Sequence, residues 1–199
     1  MLAGCESAPP RPLDPAATPS GPALGAVTVV QPEVTVNRRP VHDTVPLYDG
    51  DKVATNAKGR AHIDLPGRGA VDLLENTDPY FFIREGACVL VRLLYGRGRI
   101  RGRDICVENE QHDHITMNSE VYLETDREQT AITVLDGTVR LRTARDGTEV
   151  TLSQGERITI VNRVMSRIPV SPTQLDAIRQ RFMVPPVPRP PPPPAIPRR

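Results

Sequence analysis

Short runs of apolar and β-branched residues alternate with polar ones through the middle of the chain. Ala26-Val27-Thr28-Val29-Val30, Ala61-His62-Ile63-Asp64-Leu65 and Val139-Arg140-Leu141-Arg142-Thr143 follow a period of two. So do Ala131-Ile132-Thr133-Val134-Leu135, Glu149-Val150-Thr151-Leu152 and Arg157-Ile158-Thr159-Ile160-Val161. Side chains at i and i+2 leave a strand on one side, so this period suits pleated surfaces buried on one face. Asp49-Gly50, Asp136-Gly137, Asp146-Gly147 and Gln154-Gly155 mark corners between strands, and Tyr95-Gly96-Arg97-Gly98-Arg99 reads as a further hairpin turn. With no helical period between them, these runs predict an all-β fold, an antiparallel sandwich or barrel. One helix follows the sheet. Ser171 is its N-cap, Pro172 opens the first turn and Gln174 completes a capping box. Leu175, Ile178 and Phe182 form its apolar stripe, and Pro185 ends it near Phe182.

Proline divides the rest. Of 22 prolines, six lie in residues 1–25 and nine in residues 184–199. Proline has no N–H to give a ladder, which keeps both ends out of the sheet. The reading is a Pro/Ala-rich tether over 1–25, a β domain over 26–165, a capping helix over 166–183 and a proline-rich arm over 184–199. Lys and Arg total 25 against 24 Asp and Glu, a formal charge of +1, which argues against a nucleic-acid partner. No Trp and few Phe or Tyr argue against a stacking platform or a large apolar pocket. No run reaches the roughly 20 apolar residues that a spanning helix needs.

Leu2-Ala3-Gly4-Cys5 resembles a bacterial lipobox, which implies acylation of Cys5 and a membrane anchor ahead of the tether. A secretion signal needs an apolar stretch before the cut, so this reading expects sequence upstream of Met1. Glu6, where Asp would favour the inner membrane, points to the outer one. The alternative is a cytosolic protein with a stray cysteine. With Cys5 acylated, Cys88 and Cys106 remain as an even pair. A hairpin centred on Arg97 sets them opposite each other, as a disulfide or as two small buried thiols.

The middle of the chain resembles the FecR domain, an extracytoplasmic module of iron-uptake sigma-factor regulators that also occurs in other envelope proteins. The carrying residues are Leu47-Tyr48-Asp49-Gly50-Asp51-Lys52-Val53-Ala54-Thr55, Gly59-Arg60-Ala61-His62-Ile63, Val71-Asp72-Leu73-Leu74-Glu75-Asn76-Thr77 and Arg92-Leu93-Leu94-Tyr95-Gly96. The closing blocks are Thr130-Ala131-Ile132-Thr133-Val134-Leu135-Asp136-Gly137-Thr138-Val139 and Leu152-Ser153-Gln154-Gly155-Glu156. The resemblance implies a jelly-roll-like antiparallel β-sandwich and a non-catalytic, protein-binding role in the bacterial periplasm. It departs in lacking a membrane helix ahead of the module, which argues against a regulator that itself crosses the membrane. Asn118-Ser119-Glu120-Val121 also stands where the family has a Gly-Thr-Phe-like step.

Other chemistry is sparse. His112-Asp113-His114 could offer two imidazoles to one ion, but no spacing supplies the remaining ligands, so no metal or cofactor is expected. Arg97, Arg99, Arg101 and Arg103 alternate along one strand and could meet an anionic partner, or form a solvated face balanced by Asp104 and Glu108. No serine sits in a nucleophile elbow, and Asp49 and Asp51 flank a turn glycine, so no catalytic residue is assigned. The arm could dock in an aromatic groove or simply span space. The reading that results is a non-catalytic envelope lipoprotein that binds or scaffolds another envelope protein. Its alternatives are a periplasmic component of FecR-type signal transduction and, from another class, a metal-dependent envelope enzyme.

Overall fold

The computed structural model describes residues 21–83, 88–109, 112–144, 146–162 and 164–183. Cys5, most of the tether and the arm over 184–199 lie outside the described residues.

The described residues form an antiparallel β-sandwich with one short helix. Its strands are β1 (Gly25–Gln31), β2 (Val34–Val36), β3 (Arg39–Val41), β4 (Thr44–Leu47), β5 (Val53–Thr55), β6 (Arg60–Leu65) and β7 (Gly69–Leu73). They continue as β8 (Asp78–Ile83), β9 (Val89–Glu108), β10 (His114–Thr125), β11 (Gln129–Arg142), β12 (Glu149–Ser153), β13 (Glu156–Val161) and β14 (Val164–Pro169), and α1 spans Pro172–Gln180. The main sheet runs β14-β13-β11-β10-β9-β7-β6-β1-β4, with β12 on β11 and β8 on β9; β3-β2-β5 form a second, small sheet. The alternating pattern is visible as burial: Val27, Ile63, Val71, Ile100, Val121, Leu123, Ile132 and Ile158 all face one continuous apolar core.

Two corners expected from sequence are not turns. The Tyr95–Arg99 segment lies inside β9, one strand of 20 residues. Gly98 faces Leu73 of β7 on one side and Leu123 of β10 on the other, so both ladders hold this stretch extended. Asp136-Gly137 likewise lies inside β11, opposite Glu120 and Ser119, and the register shift beside it leaves Leu135 as the extra residue of a bulge. In contrast, Gln154-Gly155 does turn, between β12 and β13.

β9 bends instead of turning. Gly96 has φ +112, and a Cβ there would lie 2.4 Å from the Thr77 Cα. Thr77 fixes the bend: its hydroxyl donates to the Arg97 carbonyl at 3.0 Å and accepts from the Arg97 N–H at 3.0 Å. A second bend comes at Gly102, φ +143, where the register against β10 shifts between Met117 and Ser119. There the backbone meets the turn ahead of β7 so closely that a Cβ on Gly102 would lie 2.1 Å from the Arg68 carbonyl oxygen. The strand thus returns on itself, and Cys88, just before it, lies 5.7 Å (Cα–Cα) from Cys106 near its end.

The helix forms as its caps dictate. The Ser171 hydroxyl accepts from the Gln174 N–H, and the Gln174 side chain accepts from the Ser171 N–H. Leu175 and Ile178 then pack with Leu74, Tyr122 and Leu135 in a second apolar cluster, on the sheet face opposite the main core.

Replacing Gly102 by Ala forces both a left-handed φ and a backbone clash on a side chain. The expected cost is at least about 3 kcal/mol, a fall in Tm of roughly 6–12 °C, read by thermal unfolding. A Tm within about 1 °C of wild type would show that the bend tolerates a side chain.

Candidate functional site

Cross-strand registers arrange the outer sheet face in rows of polar residues. In one row His62 lies opposite Asp72, Asp72 opposite Arg99, and Arg99 opposite Tyr122. Both Nε and Nη2 of Arg99 donate to Asp72 Oδ2, at 2.9 and 2.7 Å, while His62 Nδ1 lies 2.6 Å from Oδ1. Burial alone would raise the Asp72 carboxyl, but the hydrogen bonds from His62 and Arg99 outweigh it and hold it below the usual carboxylate value. The neighbouring row pairs Arg97 with Glu124 across β9 and β10. Beside it Glu75 takes Arg60 Nε at 2.6 Å and Arg97 at 3.8 Å, and Glu124 takes Arg157 at 2.9 Å.

The helix closes part of this face. Arg179 Nη2 donates to the Leu135 carbonyl at 2.7 Å, and Arg181 Nη1 to the Tyr122 hydroxyl at 3.1 Å. Burial first, and then the Glu124 carboxylate, push the Tyr122 phenol up to about 12. Phe182 sits edge-on to Tyr122 and lies with its ring centroid 4.8 Å from the Arg99 guanidinium carbon, a cation–π contact.

A third row crosses five strands: Asp64, Ala70, Arg101, Glu120 and Asp136. It crosses an open groove of about 1000 Å³, whose wall includes Arg103 and Ser119 and whose glycines, Gly67, Gly69 and Gly102, add no side chains. Asp64, Asp136 and Arg103 are exposed and have no side-chain partner among the described residues.

The arginine row divides. Arg97, Arg99 and Arg101 keep their alternation, whereas the bulge after Gly102 takes Arg103 out of register. Arg99 is held by Asp72, with 15% of its side chain exposed, while Arg101 keeps 47% and lies 3.9 Å from the same carboxylate. The structure joins Cys88 and Cys106 as a disulfide, not across a hairpin but between the two ends of one bent strand. His112 and His114 do not extend from one strand, since His112 precedes β10 with φ +63. Both approach Glu108 instead, at 2.8 and 3.8 Å, in company with Arg92 at 3.1 Å. Among the described residues no group of three or more His, Cys, Asp or Glu is arranged to hold a metal. Sequence reasoning placed Phe182 on the helix's apolar stripe without its contact to Arg99, and it did not single out Asp72 as a site residue. The only available signal for Asp72 was its outward position between Val71 and Leu73, which does not reveal a partner 27 residues away.

No protein-family model and no curated protein matches the chain. Two crystal structures of a candidate anti-sigma factor from Parabacteroides distasonis ATCC 8503, at 2.50 and 1.65 Å, share its fold. Each superposes with a TM-score of 0.55 at 16% identity, over 65% of this chain and 64% of that one. The chain thus spans just under two-thirds of the length of the protein it resembles.

Two measurements check this arrangement. The depressed Asp72 carboxyl contributes stability above the unfolded value, roughly pH 4, and that contribution is lost as pH falls through the folded value. Asp72→Asn should therefore cost about 2 kcal/mol at neutral pH in urea unfolding, with the gap to wild type closing in acid. A gap independent of pH would remove the carboxylate from that role. Reducing Cys88–Cys106, which closes an 18-residue separation, should lower stability by about 3 kcal/mol.

Proposed function

We propose that this chain is an extracytoplasmic, protein-binding component of a signal-transduction system, of the FecR type and without catalysis of its own. The observation that carries the reading is the β-sandwich it shares with a candidate anti-sigma factor, on a chain whose sequence blocks resemble the FecR module. In support, the outer face is built of ion pairs bound to one another, a surface that offers shape and charge to a protein partner more than a reaction centre to a small substrate. The Cys88–Cys106 bond supports an oxidising compartment, such as the periplasm. In this proposal Cys5 carries the lipid, the tether gives the domain reach from the membrane, and the signal is passed on through another envelope protein.

The test is transcript profiling after deletion of the gene in its native host. A small, coherent set of genes should change and be restored by the wild-type chain, but not by a Cys5→Ala chain. An unchanged transcriptome, with or without an envelope defect, would exclude the signalling role.

A further inference from the structure

Among the described residues β14 pairs with β13 alone, through six consecutive residue pairs without a register shift. A regular edge with unpaired ladder groups is a template for another strand, and proteins guard such edges with proline, charge or bulges. Other edges of this fold are guarded or polar: β3 carries Pro40, β4 carries Pro46, and the exposed residues of β12 are Glu149, Thr151 and Ser153. β14 has no proline before its last residue, Pro169. Its single charge, Arg167, is already matched, with Nε donating to Glu156 at 3.0 Å and Nη2 donating to both carboxylate oxygens.

The apolar surface gathers at the same edge. Met165 and Arg167 lie opposite Ile160 and Ile158, on the core side, so Val164, Ser166 and Ile168 lie on the outer side, where Val164 faces Val161. Val161, Val164 and Ile168 are three of the six large apolar side chains exposed among the described residues, Val164 at 70% and Ile168 at 48%.

The hydrogen-bond phase of the ladder limits how a strand can add here. The Val170 N–H donates to the Gly155 carbonyl at 2.7 Å, which makes Glu156–Pro169 a non-hydrogen-bonded pair. Counting back from it, the N–H and C=O groups of Ile168, Ser166 and Val164 face β13, and those of Met165 and Arg167 face away. A closed dimer has a two-fold axis, and in an antiparallel ladder that axis passes through a residue facing its own copy. Centred on Arg167, two guanidiniums would oppose each other and Pro169 would leave Met165 without a donor. Centred on Ser166, Met165 of each copy meets Arg167 of the other in a hydrogen-bonded pair with both donors present. Val164 then lies against Ile168 of the other copy, twice, apolar on apolar.

We propose that β14 pairs antiparallel with β14 of a second copy of this chain, centred on Ser166, so that two sandwiches share one continuous sheet. Five paired residues span about 17 Å, less than a stable interface of ~1,000 Å² requires, so the dimer is a weak one with a dissociation constant of roughly 10⁻⁵ to 10⁻³ M. The pairing stands independently of the signalling role proposed above.

Sedimentation equilibrium of the full chain carrying Cys5→Ser should show the mass rising towards that of a dimer as concentration approaches about 1 mM. V164K/I168K sets lysines opposite each other across the axis and should weaken association roughly tenfold or more. V164K/I168E sets opposite charges there instead and should restore association to within about threefold at low salt, less at high salt. Ser166→Cys should cross-link to its own copy under mild oxidation, because a non-hydrogen-bonded pair brings the Cβ atoms within disulfide reach. Thr159→Cys, opposite Ser166 on β13 and one strand further from the axis, should not. A chain that stays monomeric at the highest concentration would overturn the proposal and assign the edge to a strand of a different protein. So would a dimer that V164K/I168K leaves intact, a V164K/I168E chain that fails to reassociate, or equal cross-linking through Thr159→Cys.

Discussion

The length of β9 constrains everything around it. Held straight, its 20 residues would run about 65 Å, whereas a domain of this size has a radius of gyration near 15 Å. The strand must therefore bend, and it does so where glycine permits: at Gly96, locked by Thr77, and at Gly102, pressed against the turn before β7. Each bend redirects the ladders on both sides, so β8 pairs with the first part of the strand while β7 and β10 pair with the rest. The two layers of the sandwich are continuous through this strand, and the disulfide joins its ends.

That continuity also creates the outer face. Because β9 lies between β7 and β10 from Gly98 to Gly102, its outward arginines fall between acids of both neighbours: Asp72 on one side, Glu120 and Glu124 on the other. Arg99 answers Asp72 with two donors and also supports the ring of Phe182, so one guanidinium links the sheet to the residue that closes the helix. Charge on this face is spent on internal pairing, in keeping with the near-neutral whole chain. At the bulge Arg103 leaves the register and is unpaired among the described residues, as are Asp64 and Asp136, and there the groove opens.

Local chemistry was legible in the sequence; what depends on partners was not. Period-two runs located β1, β6, β12 and β13, and the capping box placed the helix within two residues of its end. The pattern failed at Gly96 and Gly137, because a glycine with positive φ serves a turn and a bulge equally, and the choice is made by whether strands flank it on both sides. The cysteines illustrate the same limit: their sulfurs meet, but by a route through bends that an assumed hairpin does not contain. The arginine alternation was readable as far as Arg101. Its meaning was not, since Asp72, Glu120 and Phe182 reach it from three separate elements.

The position of β1 has a mechanical consequence. It is the first strand among the described residues, yet it lies inside the sheet, between β4 and β6 and antiparallel to both. Tension applied to Gly25 along the strand would load its ladder bonds together, in shear, instead of peeling them away one at a time as from an edge. A domain hung from its beginning would resist drag through that pair of ladders before any core residue was disturbed.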